Sequence, residues 1–523
     1  MARRAVVVGA ALLAAALTGC VPTATPPTLS DTPPNEVSGV DIPGGRVDAA
    51  VAELDRLARE LIDATGIPGL AVAVVHGGKT VYAKGFGVRD TRNGDGPDNA
   101  VNADTVFQLA SMSKSVGATV VAQQVGAGTI AWDTPVVTQL PWFALSDPYV
   151  TEHVTIADLY AHRSGLPDHA GDRLEDLGYS RREVLERLKY LPLEPFRSNY
   201  DYTNFGLTAA AEAVAGAAGM PWDQLSADVL YGPLGMTATS SRHADFIGRP
   251  NHAATHVKAG DGYQPRYQRN PDAQSPAGGV SSSVNDMARW LAMVLAGGSY
   301  DGTRIVDAEA LLPAITPQVI SAPADVGTAR SGFYGHGFNV SITAAGRTQF
   351  GHSGAFLLGA ATAFSALPSQ DLGIVVLTNA TPIGVPETLI AQFMDLVQYG
   401  EIREDWAGLY RQALAPMSKP EGALVGAALP ADPAPARPLP DYVGQYTNPY
   451  WGQATVAVDN GALELALGPQ PQRFRLAHFD GDTFTFALQG ENAADGTISK
   501  AEFTPDGLTL EYFDHDKLGR FTR

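Results

Sequence analysis

"FQLASMSKSVGATVVA", residues 107–122, places Lys114 inside an apolar run, three residues after Ser111. Lysine is scarce in this chain, 8 of 36 basic residues, so a plain surface charge would more often have been arginine. If Ser111 opens a helix, positions i and i+3 share a face and the two side chains meet. Ser111 would then stand at a helix N-terminus, where the dipole and free N–H groups favour developing negative charge. Burying Lys114 among apolar neighbours would penalise its charged form and make the amine a usable proton acceptor. The competing reading is a capping serine beside a lysine that snorkels to the surface.

Two further stretches weigh against that competing reading. "SNYDYTNFGLTAAAEAV", residues 198–214, carries Tyr202 and Asn204 just before an apolar helical run. A tyrosine beside a cation gives up its proton more easily, and an asparagine both donates and accepts hydrogen bonds. "TQFGHSGAFLLGAATAF", residues 348–364, sets His352, Ser353 and Gly354 on an expected strand. Gly354 would let a substrate lie close along that strand, and the Ala355 N–H would serve as an oxyanion donor. Taken singly, Tyr202 reads as a core aromatic, Asn204 as a helix cap and His352 as a packed neutral histidine.

In this order the three motifs resemble the serine β-lactamase and penicillin-binding protein superfamily. The likeness is closest to the class C β-lactamase-like branch, with its esterases, D-aminopeptidases and D-Ala-D-Ala carboxypeptidases. "LYAHRSGLP" (159–167) is similar to that branch's histidine–serine–glycine–leucine loop. "SPAGGVSSSVNDMARW" (275–290) is similar to its double-glycine turn, with Ser283 as the expected N-cap of the helix that follows. The likeness spans about residues 46–400. It implies that Ser111 attacks a carbonyl and forms an acyl-enzyme, that Lys114 and Tyr202 together move the proton, and that Asn204 orients substrate and lysine. It also implies an oxyanion hole from the N–H groups of Ser111 and Ala355, with His352, Ser353 and Gly354 on the substrate side. Which of Lys114 and Tyr202 holds the proton at rest stays open, because such a pair titrates together.

One departure bears on the substrate. Family members acting on β-lactams or D-Ala termini usually carry lysine where this chain has His352. A histidine is mostly neutral near pH 7. That weakens carboxylate binding, favours esters, amides or peptide termini without that charge, and predicts a carboxylate preference that changes with pH. A carboxypeptidase, a β-lactamase, or a non-catalytic cell-envelope binding protein that keeps the fold remain as alternatives.

Around this core the chain reads as α+β: a β-lactamase/transpeptidase-like antiparallel sheet flanked by helices, with a helical subdomain, then a small all-β barrel-like domain. Helical spacing at Val51, Leu54, Leu57, Leu61 and Ile62 precedes two β-rich runs around Gly77-Gly78, a hairpin signal. Strands return near residues 334–379, so the two ends of the domain pair in one sheet. Residues 401–440 read as a helix and a Pro/Ala-rich linker. Beyond it, Asn460-Gly461, Asp480-Gly481, Asp495-Gly496 and Asp506-Gly507 punctuate alternating runs in residues 441–523. "YVGQYTNPYWGQATV" (442–456) is similar to a poorly characterised β domain often appended to such hydrolases. Packing against the main domain is its expected role, with ligand or cell-wall binding as the alternative.

Residues 1–19 read as a signal peptide ending in "LTGC", and Cys20, the only cysteine, is the expected lipidation site. Residues 20–45, rich in Pro, Thr and Ser, read as a tether that holds the enzyme off the membrane. The expectation is an exported protein, lipid-anchored at the outer face of the bacterial cytoplasmic membrane or on the periplasmic side, with a small-molecule or peptide substrate. A net charge of −19 argues against nucleic acid as a partner. The chain has no G-x-S-x-G, HExxH, CxxC, Walker loop or dinucleotide fingerprint, so no cofactor or metal is expected. His252 and His256 have the i,i+4 spacing of a metal pair but lack a third ligand.

Overall fold

A computed structural model describes residues 32–523 of the molecule. The signal-like segment and Cys20 lie outside these residues. By contacts the chain divides into residues 1–37 and 38–523. Of the first unit, residues 33–36 form a turn closed by Glu36 N donating to Pro33 O at 2.8 Å.

The second unit is built on an eight-stranded antiparallel sheet. Its strands in chain order are β1 (Gly69–His76), β2 (Lys79–Gly87), β3 (Val319–Ala322), β4 (Gly332–Tyr334), β5 (Asn339–Ile342), β6 (Thr348–Phe356), β7 (Ala360–Leu367) and β8 (Leu372–Thr378). Their spatial order is β2-β1-β8-β7-β6-β5-β4-β3, so the N-terminal hairpin pairs with the last strand, Leu70 opposite Thr378. Gly77 and Gly78 both take the left-handed conformation that a two-residue hairpin turn requires. Strands β1, β7 and β8 are buried almost throughout because helices cover both faces. Helix α1 (Arg46–Thr65) lays Leu54, Leu57 and Leu61 on one face of the sheet, beside a late helix, Val385–Tyr399. Helix α2 (Met112–Gly126) packs on the opposite face. It is buried nearly all round, its polar residues Ser113, Lys114, Ser115 and Thr119 included.

Ser283 caps the helix Val284–Leu295, its hydroxyl accepting from Asp286 N at 3.3 Å. The segment read as tether is fastened before residue 45: Ser38 Oγ and Gly39 N both donate to Ala345 O, at 2.8 and 3.0 Å. Beyond a helix at Trp406–Leu414, eight strands from Gly444 to Thr522 close into an antiparallel barrel, Thr447 meeting Thr522 at the seam. Barrel strands such as Ala462–Leu467 alternate buried and half-buried positions, as the sequence alternation requires. The α+β sheet with helices on both faces and the barrel agree with the fold class read from the sequence.

Candidate active site

The backbone from Leu109 to Met112 turns sharply into α2, with Ala110 at a positive φ of 47° and Ser111 as the N-cap residue. Ser111 thus stands at the helix N-terminus and Lys114 lies one turn on, fully buried at 0% exposure. Lys114 Nζ is 3.1 Å from Ser111 Oγ. It donates to Asn204 Oδ1 at 2.6 Å and to the carbonyl of Ala277 at 3.0 Å. Those two carbonyl oxygens can only accept, so they fix two of the nitrogen's tetrahedral positions as N–H donors. The third position points at Ser111, and in the neutral amine it is a lone pair. Burial pulls the Lys114 pKa down to about 7, with the Asp172 carboxylate opposing.

Tyr202 donates its hydroxyl to Ser111 Oγ at 2.8 Å, and Lys114 Nζ lies 4.5 Å from the Tyr202 ring centroid. Burial drives the Tyr202 pKa well above its ordinary value, so the phenol stays protonated. The ring is held by His162, whose centroid is 4.6 Å away and whose Nδ1 accepts from Thr203 N at 3.1 Å. Asn204 is oriented from behind, its Nδ2 donating to Asp172 Oδ2 at 2.8 Å. The same oxygen is 2.7 Å from His169 Nδ1. Asp172 therefore decides which way the Asn204 amide faces; sequence reading missed it, because a carboxylate 32 residues upstream carries no motif.

The strand residues divide between the two faces of the sheet. His352 pairs with Phe364 and turns inward, where it is 6% exposed. Both of its nitrogens are engaged: Nδ1 faces Ser353 O at 2.6 Å and Nε2 faces the Tyr334 hydroxyl at 2.8 Å. Burial, then the nearby Lys114 charge, pushes its pKa to about 3. Burial with both nitrogens engaged keeps His352 neutral, which gives no support to the expected pH-dependent carboxylate preference. Ser353 pairs with Ala363 and projects to the other face, where its hydroxyl acts on Glu387. Gly354 serves a purpose other than the expected one: a Cβ there would fall 2.2 Å from Leu109 O and 3.1 Å from Ser111 N. The glycine lets β6 press on the turn that carries the serine.

Ser111, Tyr202, Asn204 and Ala355 line a cavity of about 360 Å³. Its far wall belongs to the barrel, through Tyr450, Trp451, Glu491 and Asn492, and to the linker, through Met417 and Lys419. The linker is thus part of the site's surroundings, and the barrel shares the cavity as well as packing on the domain. Turn-rich β sequence gave no signal of this. His252 and His256 do not converge on a metal position. His252 Nδ1 bonds Arg249 O, while His256 faces Asn379 O at 3.0 Å and accepts from Thr91 N at 3.2 Å. Among the described residues no helix is long and apolar enough to cross a membrane.

Comparison with known proteins places this geometry. The chain is 26% identical over 443 residues to an unguisins hydrolase of Aspergillus campestris, covering 80% of this chain and 78% of that protein. It is 29% identical over 365 residues to penicillin-binding protein 4 of Amycolatopsis lactamdurans, covering 68% and 90% respectively. The octameric penicillin-binding protein homologue from Pyrococcus abyssi shares the fold, with a TM-score of 0.59 and 19% identity over 90% of this chain and all of that one. Residues 428–516 match the profile of a "Domain of unknown function (DUF3471)". Residues 54–398 match the family described as "Beta-lactamase", and the chain belongs to that family, within the serine β-lactamase and penicillin-binding protein superfamily.

Proposed function

We propose that the protein is an exported serine hydrolase that cleaves esters or amides through an acyl-enzyme on Ser111. The observation that carries this reading is a fully buried amine, Lys114, whose third tetrahedral position faces Ser111 Oγ at 3.1 Å. With a pKa near 7, a large share of Lys114 is neutral and accepts the serine proton as Oγ attacks the carbonyl carbon. The N–H groups of Ser111 and Ala355 stabilise the resulting oxyanion. Tyr202, protonated and 2.8 Å from Oγ, donates its proton to the departing alcohol or amine, and Lys114 restores it. In the second half the same groups activate water and release the acid, leaving Ser111 Oγ–H as it began.

His352 supports the preferred substrate class. A neutral imidazole with both nitrogens occupied offers no cation for a substrate carboxylate, which favours esters and amides uncharged at that position. Relatives named as a hydrolase and as a penicillin-binding protein support carbonyl chemistry in general. Export and lipid anchoring at Cys20 rest on the leader sequence and belong to the same proposal. A radiolabelled fatty acid incorporated by wild type and absent from Cys20→Ala supports it; equal incorporation refutes it.

A fluorophosphonate probe on purified protein tests the chemistry. Labelling of wild type and none of Ser111→Ala is the expected result; absence of labelling in both favours a binding protein. A panel of p-nitrophenyl esters, D-amino-acid amides and a chromogenic cephalosporin then ranks the substrates, the first two expected to be turned over faster.

A further inference from the structure

We propose that Glu491, a residue of the barrel, is a positioning residue for the strand end that carries the Ala355 N–H. The inference rests on the acyl-enzyme reading of Ser111 and goes beyond it by assigning the barrel a part in the reaction.

The barrel loop 489–496 leans on the hydrolase domain at two adjacent residues. Glu491 Oε1 accepts from Leu357 N at 2.8 Å and Oε2 accepts from Leu358 N at 3.3 Å. These two N–H groups belong to the turn that follows β6, two and three residues after Ala355. Glu491 is itself held: its side chain is 12% exposed, and Arg269 Nε lies 3.9 Å from Oε2. Arg269 is anchored in turn by Glu175 at 2.5 Å.

The next residue clamps the opposite wall. Asn492 donates its N and Nδ2 to Asp176 Oδ2, both at 3.0 Å, and Nδ2 also reaches the carbonyl of Asp172 at 3.3 Å. Asp172 is the residue that orients Asn204. Tyr512 of the barrel ties the loop down through Asn492 O at 2.5 Å. One loop therefore holds the turn beyond Ala355 with one side chain and the backbone behind Asn204 with the next. Charge alone does not explain this arrangement. A Glu491 serving only to neutralise Arg269 would not need both carboxylate oxygens on backbone N–H groups. Reacting groups must be held to about half an ångström, and the end of a strand frays unless its orphan N–H groups find acceptors.

The test separates arm length from the presence of the carboxyl group. Glu491→Leu removes the acceptors, Glu491→Asp keeps the carboxyl group but withdraws it by one methylene, and Glu491→Gln keeps the reach and one acceptor oxygen. The full-length variants are compared by kcat and KM on a p-nitrophenyl ester, per fluorophosphonate-titrated site, and by amide hydrogen exchange at residues 355–359. The expected result is a kcat loss on the order of 10- to 100-fold in the Leu and Asp variants with KM within about threefold, and faster exchange at Leu357 and Leu358. Glu491→Gln should keep kcat within about threefold of wild type.

An Asp variant with wild-type kcat per titrated site and unchanged exchange overturns the proposal. So does a Gln variant that falls as far as Leu, or a loss carried wholly by KM. If the Leu variant does not fold, the Asp and Gln pair decides. If wild type fails to react with the probe, the acyl-enzyme reading is what fails, and exchange at Leu357 and Leu358 still decides whether Glu491 holds the turn.

Discussion

At Lys114 a single buried nitrogen meets two obligate acceptors and one hydroxyl: burial sets the low pKa, and the placing of the three partners sets the direction of proton transfer. The amine must be unprotonated to accept, so kcat/KM should rise as pH increases through about 7 and level off above it. A profile flat from about pH 5 to 9 would remove Lys114 from the base role. Lys114→Met keeps the length and loses the nitrogen; turnover should fall by on the order of 10²- to 10⁴-fold while the fold persists by circular dichroism. Asp172→Asn tests the residue behind Asn204. It lets the Asn204 amide turn over, withdrawing Oδ1 from Lys114, and should cut kcat about tenfold with the labelled residue still Ser111.

Elements bring these residues together through close approach of backbone. Strand β6 touches the entry to α2 only because residue 354 has no side chain: an alanine methyl would meet Leu109 O and the Thr362 hydroxyl at 2.2 and 2.4 Å. Gly354→Ala should therefore slow fluorophosphonate labelling at least tenfold and lower the melting temperature, because the nearest obstacle is backbone and cannot rotate away. Labelling at the wild-type rate would mean that the strand can shift without moving Ser111. By contrast Ser283→Ala removes a cap remote from the chemistry. It should cost about 1 kcal/mol of stability in denaturant melts and leave kcat unchanged.

For the whole molecule, the junction between sheet domain and barrel gathers three carboxyls, Glu175, Asp176 and Glu491, around one buried Arg269. Burial raises all three pKa values against the pull of Arg269, Glu491 to about 8. A raised carboxyl pKa means that the folded state holds a proton the unfolded chain has released. Glu491 therefore contributes stability that is complete below about 4.5 and lost as pH rises toward about 8, at up to about 1.4 kcal/mol per pH unit. Lys114 acts in the opposite sense. Its depressed pKa costs stability below about 7 and releases that cost as pH climbs toward 10.5. Denaturant melts from about pH 5 to 8 should show falling stability in wild type and a shallower fall in Glu491→Gln. Equal slopes would mean that Glu491 is ionised throughout. With this cluster and the clamp at Asn492 spanning the junction, calorimetry should give one unfolding transition for both parts; two resolved transitions would show that the junction does not couple them.

Sequence by itself determined the order of motifs, the family likeness, the hairpin at Gly77-Gly78, the Ser283 cap and the barrel's alternation. Each is written in neighbouring residues, where periodicity, turn chemistry and i,i+3 spacing act. Ser111 and Lys114 were legible for that reason, being one helical turn apart. Tyr202 and Asn204 became legible only by resemblance. Tertiary structure decided what depends on groups distant along the chain: the turning of Ser353 away from the site, the neutrality of His352 beneath Tyr334, Asp172 behind Asn204, and Glu491 on the turn after Ala355. Burial and the far partner of a hydrogen bond are properties of the packed chain, and they set both the pKa of Lys114 and the wall that the barrel gives the cavity.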